Sequence, residues 1–289
     1  MHRDAFSQYH PLTNFLFFTG AIGCGVFIQH PVYILANCIC AGIYSILLEK
    51  RKGFRLIMGL IPAFAVISVI NPLFNLQGDT ILFTLLGKPY TKEALLYGMA
   101  VAGMFVSMIL WFFCYCIVLT SDKFINLFGS LVPSLSLLLV MILRMIPNIM
   151  RKIGQISCAR KALGKGVGEQ SDNKEKVLDG MRILSALTDW SLEGSIITAD
   201  SMRSRGYGCA KRTSFSVYHF SWRDGGLVIT MGILVSCVFA AGNLDAVFVP
   251  SVEMSPISWG LALYCLFLLI PAILQIKEEI LWHIFISKI

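Results

Sequence analysis

The chain has 289 residues, 56% of them hydrophobic and only 14% charged, with a mean hydropathy of +0.72. Soluble domains carry about 25% charged residues, so this composition excludes an ordinary water-soluble globule and places the chain among helical membrane proteins. The formal net charge of +7 is concentrated in particular segments, and that distribution reads as membrane orientation, not as nucleic-acid binding.

From the amino terminus, His2-Arg3-Asp4 makes a poor signal-peptide opening, and no small-residue cleavage site follows the first apolar run. Apolar runs recur at Leu12–Gln29, Val32–Leu48, Phe54–Leu73, Leu95–Leu119, Leu227–Ala241 and Ile257–Leu274. Each approaches the roughly 20 residues a helix needs to cross the hydrocarbon core, the fifth being the shortest. They hold no Asp, Glu or Lys, and Arg55 stands at the very start of the third. A carrier built on an intramembrane carboxylate is therefore not expected. Asn14, Asn37, Asn71 and Asn75 read as helix caps near span ends. Seven of the nine cysteines lie in apolar runs, where cysteine acts as a small hydrophobe.

The short basic stretch Glu49-Lys50-Arg51-Lys52-Gly53-Phe54-Arg55 reads as a cytoplasmic loop, which puts both termini inside and Asn75–Lys92 outside. Phe124–Met150 is also apolar, but a crossing there would carry residues 151–222 outside. That segment holds twelve Lys and Arg residues against seven acids, so it belongs inside. Phe124–Met150 is accordingly expected as an in-plane or re-entrant helix. The expectation is an all-α integral membrane protein with about six transmembrane helices and long amphipathic cytoplasmic helices. It divides into an amino-terminal bundle of four spans (1–120), the in-plane helix with a cytoplasmic insert (121–222), and a carboxy-terminal pair of spans (223–289).

Two helices account for most of the insert. Ile146, Ile149, Ile153 and Ile156 form one apolar stripe on the first, with Gly164 as its stop. Lys165–Asn173 is a loop. The second runs from about Glu175 to Arg205 with Val177, Met181, Leu184, Leu187 and Trp190 on one stripe, and at about 1.5 Å per residue it extends on the order of 45 Å. Gly206 follows as a C-terminal cap, with Arg205 in the last turn against the carbonyl end of the dipole. Neither stripe finds enough apolar partners inside the insert, so the pair is expected to pack on something else.

No phosphate-binding G-x-x-x-x-G-K-[ST] occurs, because Gly164-Lys165-Gly166-Val167-Gly168-Glu169 lacks the Lys-Ser/Thr pair. H-E-x-x-H and G-x-S-x-G are also missing, and no catalytic, substrate-binding or metal-ligating residues are assigned. The chain itself is expected to bind no cofactor.

Several segments together resemble one family, the transmembrane T component of energy-coupling factor (ECF) transporters. They are His10-Pro11-Leu12-Thr13-Asn14, Asn71-Pro72-Leu73-Phe74-Asn75 with Gly78-Asp79-Thr80, Ser121-Asp122-Lys123-Phe124 and Leu143-Arg144-Met145-Ile146-Pro147. The most specific is Ala199-Asp200-Ser201-Met202-Arg203-Ser204-Arg205-Gly206-Tyr207-Gly208, which resembles the second Ala-Arg-Gly-type signature with Ser204 in place of alanine. Ala162-Leu163-Gly164 occupies the first signature by spacing. Leu163 stands where the family often has arginine, and Arg160 and Lys161 lie one turn earlier.

The resemblance implies a non-catalytic coupling subunit of an importer for vitamins or metal ions in a prokaryotic cell membrane. Its partners would be two ABC-type ATPase subunits, which hold ATP and Mg, and a membrane-embedded S component that binds the substrate. ATPase docking would fall to Asp200, Ser204, Arg205 and Gly206 at one helix end and to Arg160, Lys161 and Gly164 at the other. The residues alone leave three other readings open: an independent carrier or channel, a membrane-embedded enzyme, and a scaffold whose partner is not an ATPase.

Overall fold

The computed structural model describes residues 4–74, 81–85, 88–129, 133–164, 173–209, 218–241, 246–247, 253–254 and 258–286. The chain divides into two compact units, one of Met1–Phe124 with Tyr218–Ile289, the other of Ile125–Val217. The first and last membrane segments therefore pack as one unit.

In chain order the elements are α1 (Pro11–Phe27), α2 (Pro31–Leu48), α3 (Lys50–Phe74), β1 (Ile81–Leu85), β2 (Lys88–Thr91), α4 (Lys92–Val118), α5 (Ser121–Gly129), α6 (Pro133–Ala162), α7 (Asn173–Ser204), α8 (Trp222–Ala240), β3 (Ala246–Val247), β4 (Glu253–Met254) and α9 (Gly260–Ile286). The strands form two small antiparallel hairpins. Everything else of any length is helical, so the all-α membrane architecture is borne out. Gly78-Asp79-Thr80 and all of the 165–173 loop except Asn173 lie outside the described residues, as do Lys211 and Arg212.

Among the described residues, α2, α3, α4, α6, α8 and α9 are long and apolar enough to cross a membrane. The set differs from the one read off the sequence. At 17 residues, α1 is shorter, while α6 qualifies. Charge parity, not length or apolarity, had kept residues 124–150 out of the expected spans.

The helix starts are chemically alike. His10 and His30 each turn Nδ1 onto a backbone N–H two residues on, Leu12 at 3.2 Å and Val32 at 3.3 Å, and each is followed by proline at the first helical position. The expected basic loop at 49–55 is helical instead. Glu49 alone separates α2 from α3, and Lys50, Arg51 and Lys52 begin α3. Gly53 permits this turn, because a Cβ there would lie 2.4 Å from the Ser45 carbonyl oxygen.

In the first unit α4 packs against α1, α2 and α3, while α9 packs against α2 and α8. The core is aromatic. Phe17 meets Phe6, Phe18 and Trp111 edge-on at 5.3 to 5.5 Å, and Phe267 at 5.3 Å. These offset geometries suit the ring quadrupoles. A close approach fixes α3 on α4. Pro72 supplies no N–H for the Ser68 carbonyl, and a Cβ at Gly98 would stand 2.8 Å from that oxygen. Gly98→Val is expected to lower stability by about 1–3 kcal/mol, read as an earlier thermal unfolding transition in detergent.

Asn37 departs from the capping role expected of it. It is 2% exposed and lies inside α2, where its Oδ1 accepts from Trp111 Nε1 at 2.7 Å and its Nδ2 donates to Ser107 Oγ at 3.4 Å. The amide ties α2 to α4. Asn37→Leu strands the buried indole N–H, so a loss of about 1–3 kcal/mol is expected in the same unfolding measurement.

Residues 4–10 fasten one end of this unit. Tyr44 Oη donates to Asp4 Oδ2 (2.8 Å), the Ala5 N–H to Gln275 Oε1 (2.7 Å), and the His10 N–H to Asp224 Oδ1 (2.9 Å). Lys123, in the first turn of α5, donates Nζ to Ser7 Oγ (2.7 Å), to the Val118 carbonyl (3.0 Å) and to the Ser7 carbonyl. Burial pushes the Asp4 carboxyl above its usual range, and the Tyr44 hydroxyl, backbone N–H groups and Lys123 oppose that shift. Burial likewise draws Lys123 down, with the Asp4 charge opposing it.

Candidate functional site

The second unit is a helical hairpin. Arg160 in α6 donates Nε to Asp179 Oδ1 of α7 at 2.6 Å and pairs with the same carboxylate through Nη2. Lys152 lies over the Trp190 ring, 5.4 Å from its centroid. Residue 160 is thus level with 179 and residue 152 with 190, so the two helices run antiparallel.

The α6 face turned to α7 includes Ile149, Ile153, Ile156 and Arg160, at spacings of four, three and four. Of the stripe expected on α7, only Leu187 and Trp190 are half-buried; Val177, Met181 and Leu184 are each 64% exposed. Ile183 takes their place facing α6. The expected stripe follows apolarity alone, whereas the pairing of Asp179 with Arg160 rotates α7 about its axis. As a result Val177, Met181, Leu184, Leu192 and Ile196 form an uncovered apolar face along α7.

The two helices end alike. At the end of α7, the Gly206 N–H donates to the Arg203 carbonyl (3.0 Å) and the Tyr207 N–H to the Met202 carbonyl (3.1 Å), with Gly206 at φ +77°. This is the Schellman arrangement, which only glycine enters without steric cost. At the end of α6, the Gly164 N–H donates to the Lys161 carbonyl (3.0 Å), with Gly164 at φ +69°. Aligning the glycines matches Lys161 with Arg203, Ala162 with Ser204 and Leu163 with Arg205.

The expected site residues separate into different environments. Asp200, Arg203, Ser204, Arg205 and Gly206 are exposed, as are Lys161, Leu163 and Gly164. Ser204 turns its hydroxyl back onto the Asp200 carbonyl (2.8 Å), so its proton serves the last turn of α7. Arg160 is held in the hairpin. The structure does not gather these residues into one site. Roughly 26 residues of α7 separate Asp179 from Arg205, and at about 1.5 Å each the two capped ends stand on the order of 40 Å apart. Sequence reasoning missed Tyr207, which is 49% exposed beside Arg205 and whose N–H closes the cap. It also missed Asp179, which a hairpin register drawn across the short 165–173 loop would have brought opposite Arg160.

Among the described residues, no group of three or more His, Cys, Asp or Glu side chains is placed to hold a metal ion. A cavity of about 480 Å³ between α2, α3 and α4 is lined by apolar side chains such as Ile34, Leu60, Phe64 and Met99, with Cys38 in its wall.

Fold and helix ends together define a multi-pass helical membrane protein whose chain carries a polar hairpin between its apolar helices. The family model for the cobalt transport protein CbiQ matches residues 6–215, more than half of the chain and all of it from α1 to the end of α7. The chain belongs to this family, the T-component family that its segments resemble, and is a membrane component of a cobalt or ECF-type transporter. Comparison with curated proteins found no match.

Proposed function

We propose that this chain is the coupling subunit of an ECF-type importer, joining two ABC-type ATPases to a membrane-embedded S component in a prokaryotic cell membrane. The observation that carries the reading is the pair of exposed, glycine-capped helix ends on one hairpin, far enough apart to engage two partners. Arg205 enters an acid-lined groove of one ATPase, where bidentate pairing fixes orientation as well as affinity. ATP and Mg are bound by the ATPases, and their closure moves the helix ends. The hairpin transmits that movement through the uncovered apolar face of α7 to the S component, whose site then opens to the cytoplasm. Its cargo is a vitamin or a metal ion, and the family's name favours cobalt. Both termini and the hairpin are cytoplasmic in this arrangement.

The apolar lining of the cavity between α2, α3 and α4 speaks against an independent carrier for a hydrated ion, since nothing charged lines it to replace the lost water. Proteoliposomes provide the test. Cargo uptake is expected only when the chain, the ATPases, the S component and ATP are all present. Uptake by the chain alone would instead establish the carrier reading.

A further inference from the structure

We infer that the two partner ATPases are different polypeptides, one offering an acid-lined groove to the α7 end and the other an apolar groove to the α6 end. This rests on the proposed coupling role. The argument is a comparison of the chain with itself. Both ends present the residue before the glycine from the same backbone frame, with the glycine left-handed in each and its N–H closed onto the carbonyl three residues back. In that frame stands Leu163 at one end, 74% exposed, and Arg205 at the other, also exposed.

No neighbouring cation substitutes for the one missing at 163. Arg160 is spent on Asp179, with its side chain only 19% exposed. Lys161 precedes Leu163 by two residues, about 200° around the helix and so on another face. It already has its counterpart in Arg203. The ends are thus alike in cap, glycine and flanking cation, and differ only where a partner would read them.

A dimer of one ATPase presents two identical grooves. An acid-lined pair would leave carboxylates without a donor around Leu163, and an apolar pair would strand the Arg205 guanidinium. Either mismatch forfeits the hydrogen bonds of a desolvated polar group, so identical grooves satisfy one end only.

The test uses the full chain, purified with its native partners in mild detergent. A photo-crosslinking residue is placed at position 163 and, in a separate preparation, at position 207, and the adducts are sequenced. Adducts to two different ABC-type ATPase sequences are expected, one from each position. The same ATPase sequence from both positions would overturn the inference while leaving the coupling role intact. No ATPase adduct from either position would overturn the coupling role itself. Leu163→Arg sharpens the result by its sign: capture of the partner at that end is expected to fall at least tenfold, whereas identical acidic grooves would make it rise.

Discussion

Arg205→Glu is expected to abolish ATPase capture and transport while leaving membrane insertion and the fold intact. The side chain is exposed at the end of α7 and makes no contact that the hairpin needs, since the last turn is closed by backbone bonds to Met202 and Arg203 and by the Ser204 hydroxyl. The substitution removes a charge-assisted pair and sets a carboxylate against the acidic lining proposed for the groove. Losing one partner of a desolvated pair costs about 2–5 kcal/mol, roughly a thirty- to several-thousand-fold loss of affinity. Expression level and detergent melting should match wild type. Normal uptake in the variant would remove Arg205 from the docking site. Arg205→Lys should recover only part of the affinity, because an ammonium cannot make the planar bidentate contact.

The second large effect is expected at Lys123. Residue 123 is only 5% exposed, and its ammonium satisfies two oxygens of Ser7 and the Val118 carbonyl while its charge opposes the burial of Asp4. Lys123→Met would leave those acceptors without their donor and push the Asp4 carboxyl still higher. A loss of about 3 kcal/mol is expected, read as a lower unfolding midpoint in detergent. Asp4→Asn added to Lys123→Met should recover part of that loss, because it removes the uncompensated charge. Strict additivity of the two substitutions would show that the side chains do not interact. Since Lys123 sits in the first turn of α5, the same variant tests how firmly that turn is fastened to residues 4–10.

Much of this molecule was legible from periodicity and charge. Apolar runs marked the helices of the first unit because hydrocarbon requires every backbone group to be satisfied within a helix. Glycine marked both hairpin stops, at 164 and 206, because the left-handed cap needs it. Rotation and register were harder to read. The stripe Val177–Met181–Leu184 is apolar yet uncovered, since the Arg160–Asp179 pair, distant in sequence, sets which face of α7 meets α6. Asn37 passed for a cap because its partners, Ser107 and Trp111, lie some seventy residues away on α4. The short basic stretch after α2 passed for a loop, since the close approach of Gly53 to the Ser45 carbonyl is a tertiary fact. The equivalence of Leu163 with Arg205 was visible as spacing, but the shared cap geometry is what makes it a physical correspondence.

Native mass spectrometry of the tagged wild-type chain, released from mild detergent with its bound partners, addresses the coupling role most directly. One copy of this chain with two ABC-type ATPase subunits is the predicted mass, lost in Arg205→Glu. The chain alone, or with partners that carry no ATPase, would contradict it.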